Sequence, residues 1–206
     1  MKKKSFSSFV LVTALYSSGH SVAGSSLGSD ADLDVSISNV VSVAIGAYAS
    51  SEVQASTVVD STIGGSVNLA SRVSNVVSVA VGALAKNSVH ASVISNSDIV
   101  GRATTNVVAG NLIGVAVGGA VVNEIGLAEV QNSSLGAVSI SVLAGNVLSA
   151  TVGAGMTGKI KVGAVKNTGA GSVRLNVITG NIVNVSAGIG GFGVTGKVLI
   201  GTIGEY

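Results

Sequence analysis

Bulky and small side chains alternate one by one through Asn75-Val76-Val77-Ser78-Val79-Ala80-Val81-Gly82-Ala83, and nearly the same string runs from Asn39 to Ala47. Weaker copies start at Asn111, Asn146 and Asn181, so the lead asparagines lie 36, 36, 35 and 35 residues apart. Gly46, Gly82, Gly118, Gly153 and Gly188 keep the same spacing. Period-two alternation in Val, Ile, Ser and Thr predicts strands rather than helices. A fixed longer period predicts a stacked array in which each unit buries its apolar face against the next copy.

Each period reads as about three short strands divided by turns. In the first segment Val41, Val43 and Ile45 point one way, and Val40, Ser42, Ala44 and Gly46 the other. A second segment carries Val58, Ile94, Val130, Val165 and Ile200 one period apart, beside a polar column of Asp60, Asn96, Asn132 and Asn167. A third alternates as Val67/Leu69, Val138/Ile140/Val142 and Val173/Leu175/Val177. Matching residues from coil to coil predict parallel, in-register stacking at about 4.8 Å per coil. Stacked asparagines then bond along the array while apolar columns fill its interior. The fold class expected is all-β: a parallel β-solenoid of about five coils, with repeats 39–74, 75–110, 111–145, 146–180 and 181–206.

Charge refines this picture. On the expected register no two like charges face each other on adjacent coils, and Glu124 sits under Lys159; facing like charges would weaken the pairing. Residues 24–38 form an N-terminal segment and partial coil, since Ala31 to Ile37 alternates like a third segment. The copy starting at Asn181 stops short of its own third segment, so the two partial coils together make one whole coil. From Gly24 to Gly145 eight acidic residues stand against three basic ones, whereas Lys159, Lys161, Lys166, Arg174 and Lys197 later face only Glu205. Oppositely charged ends without polar caps predict head-to-tail homopolymerisation, with residues 30–38 completing the last coil of a neighbour.

The first 23 residues read as a secretory signal peptide: Lys2, Lys3 and Lys4, an apolar run from Phe6 to Tyr16, then Ser21-Val22-Ala23 before Gly24. That run falls short of the ~20 residues a stable membrane span needs. Removing it takes three of eleven basic residues, leaving eight against nine acidic ones, so no basic footprint for nucleic acid remains. With no cysteine, disulfides and thiolate metal sites are impossible. Only Tyr48, Phe192 and Tyr206 remain as aromatics, too few for the girdles of a membrane barrel.

Asn-Val-Val-Ser-Val-Ala-Val-Gly resembles the asparagine-led core repeats of secreted bacterial functional amyloids, those of the Fap fibril subunits and, more distantly, curli. The resemblance spans about residues 39–188. It implies an extracellular or cell-surface fibre, an outer-membrane export pore, a nucleator, and a role in biofilm matrix or adhesion. The chain differs from both families in having only Gln54 and Gln131 as glutamines.

Candidate chemistry is sparse. Gly188-Ile189-Gly190-Gly191-Phe192-Gly193 matches a dinucleotide fingerprint but lacks the helix that mechanism requires. His90, the one histidine after the leader, reads as a solvated side chain without a catalytic partner. Asp30, Asp32 and Asp34 read as an exposed polar edge rather than a calcium loop. The chain is therefore expected to be no enzyme and to hold no cofactor and no metal. The alternative to a fibre subunit is a monomeric secreted β-solenoid that binds a polysaccharide or another flat surface.

Overall fold

A computed structural model describes residues 9–14, 21–188 and 193–204; for residues 9–14 and 21–23 only the backbone is described. Within these residues every regular element is a strand. In chain order they are β1 (Phe9–Ala14), β2 (Ser21–Ala23), β3 (Ser26–Leu27), β4 (Ala31–Ile45), β5 (Tyr48–Val59), β6 (Thr62–Ile63) and β7 (Val67–Ser95). Then come β8 (Asp98–Gln131), β9 (Ser134–Ala144), β10 (Val147–Lys166), β11 (Gly169–Ala170), β12 (Val173–Thr179), β13 (Ile182–Gly188) and β14 (Val194–Ile203). The predicted signal peptide at 1–23 lies largely outside the described residues, as do residues 189–192 of the glycine-rich match.

Among the described residues all pairings but that of β1 with β4 are parallel, and each parallel pairing joins a coil to the next. Asn39 pairs with Asn75, which pairs with Asn111; Val40 to Ile45 pairs with Val76 to Val81 without a slip. The chain is a β-solenoid of five coils, in which each segment type occurs five times. Beside the three expected segments runs a fourth, two residues long, seen at Ser26–Leu27, Thr62–Ile63 and Gly169–Ala170.

Two corners shape each coil, and both demand a left-handed backbone. Asp60, Asn96, Asn132 and Asn167 have φ between 46 and 51°. Asparagine and aspartate tolerate that conformation best among residues with a Cβ, which explains why this column is polar. The second column is Ser56, Ser92, Ala128, Gly163 and Gly201, again with positive φ throughout. It reverses the alternation within the second segment, so that Ala91 to Ile94 are buried consecutively. The turn from first to second segment needs glycine for a different reason. A Cβ on Gly82, Gly118 or Gly153 would collide with the carbonyl oxygen of the glycine one coil below.

The interior divides in two. A body, enclosed by the third segment and the later half of the second, holds Leu69, Ile94, Ile99, Ile125, Leu127 and Ile140, each at most 1 % exposed. An arm, made by the first segment folded back on the early half of the second, holds only Ala44, Ala49, Ala80, Ala85, Ala116, Val121 and Met156 as its apolar cluster.

The structure settles one orientation that the alternation left open and corrects two expectations. In the first segment the small face is the inner one: Ser42, Ala44, Ser78 and Ala80 are buried, while Val41 and Ile45 are 44 % and 59 % exposed. The gap between the arm's sheets is filled mainly by Ser, Ala and Asn, with Val121 and Met156 its larger apolar side chains. Ile200 does not join the column of Val165; Ile203 does, because the residues between Gly188 and Val194 lengthen the last coil. That same shift sets Lys197 against Lys159, so one like-charge pair does face across coils.

Candidate assembly surfaces

The lead asparagines form an exposed ladder of amides. Asn75 Nδ2 donates to Asn39 Oδ1 at 2.9 Å, Asn111 to Asn75 at 3.0 Å, Asn146 to Asn111 at 2.9 Å and Asn181 to Asn146 at 3.1 Å. Each carboxamide can donate on one side and accept on the other, so the ladder has a direction as well as a spacing. In the second polar column, Asn167 donates to Asn132 at 3.2 Å. Gly46, Gly82, Gly118, Gly153 and Gly188 stack at the arm's turn, with the last four paired in register.

Sequence reasoning missed a second ladder inside the arm. Ser51 Oγ lies 2.7 Å from both Ser42 Oγ and Ser78 Oγ; Ser78 donates to Asn87 Oδ1 at 2.5 Å. Asn87 donates to Asn123 at 2.7 Å, and Asn123 donates to the Gly114 carbonyl at 2.9 Å and to Ser149 at 2.8 Å. The volumes compensate across the arm. Gly114 faces Asn123, where a Cβ would come within 2.7 Å of its oxygen, and Gly158 faces Asn184, where the distance would be 2.8 Å. The signal for this network was a matched pair of columns nine residues apart, Ser42/Ser51 and Ser78/Asn87, rather than any motif. A Ser/Thr column beside the left-handed corner was also missed: Ser61, Ser97, Ser133 and Thr168 each donate to the carbonyl two residues back, at 2.8 Å.

Charges gather in a crease of the second segment. Lys161 Nζ lies 2.5 Å from Glu124 and 3.2 Å from Glu129, whose side chain is 2 % exposed. Burial pushes the Glu129 carboxyl up to about 7, against the opposing pull of Lys161. Glu124, though burial pushes it upward, is held below the usual carboxylate value by its bond to Lys161. His90 is also mostly buried, which corrects the expectation of a solvated ring, and burial lowers its pKa. The cause is Gly126, paired with it on the next coil: the Glu129 carboxyl and the His90 ring occupy the space where a Cβ on that residue would sit. Among the described residues no group of three or more His, Cys, Asp or Glu is placed to hold a metal ion. Asp30, Asp32 and Asp34 are exposed and already engaged, with the Ser66 amide, the Asn68 carboxamide and Arg72 respectively.

The stack ends on strand edges. At one end β12, β13 and β14 each pair with a strand on one side only, among the described residues. At the other, residues 31–37 of β4 and 48–55 of β5 pair, among the described residues, only with β7. There β1 runs antiparallel along residues 40–45, and β2 pairs with Thr57 to Val59. That corrects the expectation of an end without any cover, and both covering strands lie within the predicted signal peptide.

Following each column from end to end reveals matched chemistry. Glu52 heads the column that runs through Ser88, Glu124 and Lys159 to Lys197. Asp32 heads the column that runs through Asn68, Thr104 and Ser139 to Arg174. Comparisons with protein-family models, with curated proteins and with solved structures found no match to this chain.

Proposed function

We propose that the protein is the secreted structural subunit of an amyloid-like extracellular fibre that grows head to tail. The observation that carries this reading is the match between the two ends. With residues 1–23 removed, each end would present the same three segment edges, and continuing the register would set Lys197 opposite Glu52 and Arg174 opposite Asp32 of the next copy. Parallel strand edges recruit strands, and complementary charges fix which edge meets which. The amide ladder would continue in its own direction, with Asn39 of the incoming copy donating to Asn181 Oδ1.

The leader pattern accounts for timing. Release of residues 1–23 frees residues 40–45 and 57–59, the two stretches that the incoming β13 and β14 need. The secreted destination, the export pore and a role in biofilm matrix or adhesion rest on that leader pattern and on the resemblance to the Fap and curli subunits.

The test is a charge exchange at the junction, on protein without residues 1–23. Lys197→Glu alone should slow fibre growth at least tenfold, followed by thioflavin fluorescence and electron microscopy, and Glu52→Lys in the same chain should restore it. Unchanged growth of the single variant, or no rescue in the double, contradicts the head-to-tail register.

A further inference from the structure

Among the described residues the outer face of the first segment packs into neither hydrophobic cluster. Its three columns begin at Val41, Val43 and Ile45 and end at Val183, Val185 and Ala187, and every residue in all five coils is Val, Ile, Leu or Ala. None of these side chains belongs to either buried cluster. Ile45 is 59 % and Val185 48 % exposed. The asparagine ladder bounds the face on one side and the glycine column on the other, and no charged side chain lies between them.

We infer that this face binds the same face of a second copy, pairing two solenoids side by side; the inference rests on the fibre reading for its full extent. Two features select a second copy as the occupant. One is area: five strands about 4.8 Å apart, each about seven residues of roughly 3.3 Å, give about 500 Å² per partner. A pair then buries about 1,000 Å², the lower bound for a specific interface, while an uncovered patch of that size is at the upper limit for a monomer. The other is continuity. The rows on both partners share one spacing, so branched side chains of one copy fit between rows of the other, and each subunit added to a fibre extends the same dry interface. No charge or unpaired donor on the face opposes its burial.

The experiment is mass per length by scanning transmission electron microscopy, comparing fibres of the protein without residues 1–23 with those of Val79→Lys/Val115→Lys, two central outward residues. Five coils span about 24 Å at about 4.8 Å each. The unaltered protein should show two subunits per ~24 Å and the variant one, while the variant's circular dichroism and thioflavin growth persist. One subunit per ~24 Å in the unaltered fibre, or two in the variant, overturns lateral pairing and leaves head-to-tail growth intact. Absence of fibres in both would instead sink the head-to-tail reading. Sedimentation velocity then decides the pairing: a dimer that the two lysines abolish supports it, and a monomeric unaltered protein overturns it. Flotation of the unaltered protein with phosphatidylcholine vesicles, without pairing, would assign the face to lipid and overturn the proposal.

Discussion

The body and the arm of each coil are built by the same chain, in the same register, on opposite rules. In the body Ile94, Ile125 and Leu127 point inward and are fully buried, as in an ordinary hydrophobic core. In the arm the inward positions include Ser42, Ser78, Asn87 and Asn123, and Val41 and Ile45 point out. The difference follows from spacing between sheets. Hydroxyl and amide groups of the two arm strands bond directly across the gap, as Ser51 does to Ser42 at 2.7 Å, so most inward positions hold small or amide side chains, with Val121 and Met156 the larger apolar ones. Small polar groups are tolerated there because Ser42, Ser51, Ser78, Asn87, Asn123 and Ser149 each find a hydrogen-bond partner across the arm or on a neighbouring coil, and a satisfied buried network costs little. Stacking in register therefore permits two kinds of core, one held by volume and one by hydrogen-bond continuity.

That contrast can be broken from either side. Ile125→Ala removes volume from the body and should cost about 2–5 kcal/mol in urea unfolding, the range for a large-to-small core change. Asn123→Ala removes little apolar area but strands Asn87, the Gly114 carbonyl and Ser149. It should cost about 2–3 kcal/mol, the penalty of unpaired buried polar groups. If Asn123→Ala were neutral, the arm would not be held by its polar ladder.

The crease between arm and body offers a gentler lever. The folded value of Glu129, about 7, lies above the ordinary 4.5, so over that interval the folded protein holds a proton that the unfolded chain has released. Its contribution is fully present below pH 4.5 and is lost as pH rises through 7. His90 works the other way, since its lowered value makes stability fall as pH drops below 6.5. In a His90→Gln background, Glu129→Gln should therefore leave the melting temperature unchanged near pH 4.5. It should raise stability at pH 8 by an amount on the order of 1–3 kcal/mol. A parallel shift at both pH values would place the effect in packing rather than in the buried charge.

The coil repeat was legible in the sequence because in-register stacking forces like residues into like positions, and the Asn39 and Gly46 columns carry that constraint plainly. Which face of the first segment turns inward was not legible. Both its faces are rich in small or aliphatic residues, and the deciding fact is how close Ser51, Asn87 and Asn123 come from another segment. The burial of His90 depends on the missing side chain at Gly126, a contact between coils that no periodicity reports. The register of the last coil failed for a plainer reason: residues between Gly188 and Val194 add length without any change in the alternation that follows.

The central claim is that the five-coil register passes unbroken from one molecule to the next, and a cross-link tests it most directly. The chain has no cysteine, so Asp32→Cys with Arg174→Cys introduces the only two thiols. Within one molecule they lie four coils apart, about 19 Å at about 4.8 Å per coil, too far to bridge. Across a head-to-tail junction they face each other at about 4.8 Å, inside the range for a disulfide. Oxidised fibres of the double variant should run on a denaturing, non-reducing gel as a ladder of covalent multimers that reducing agent collapses, while each single variant gives at most a dimer. Fibres that assemble yet dissolve into monomers under oxidising conditions would contradict the account.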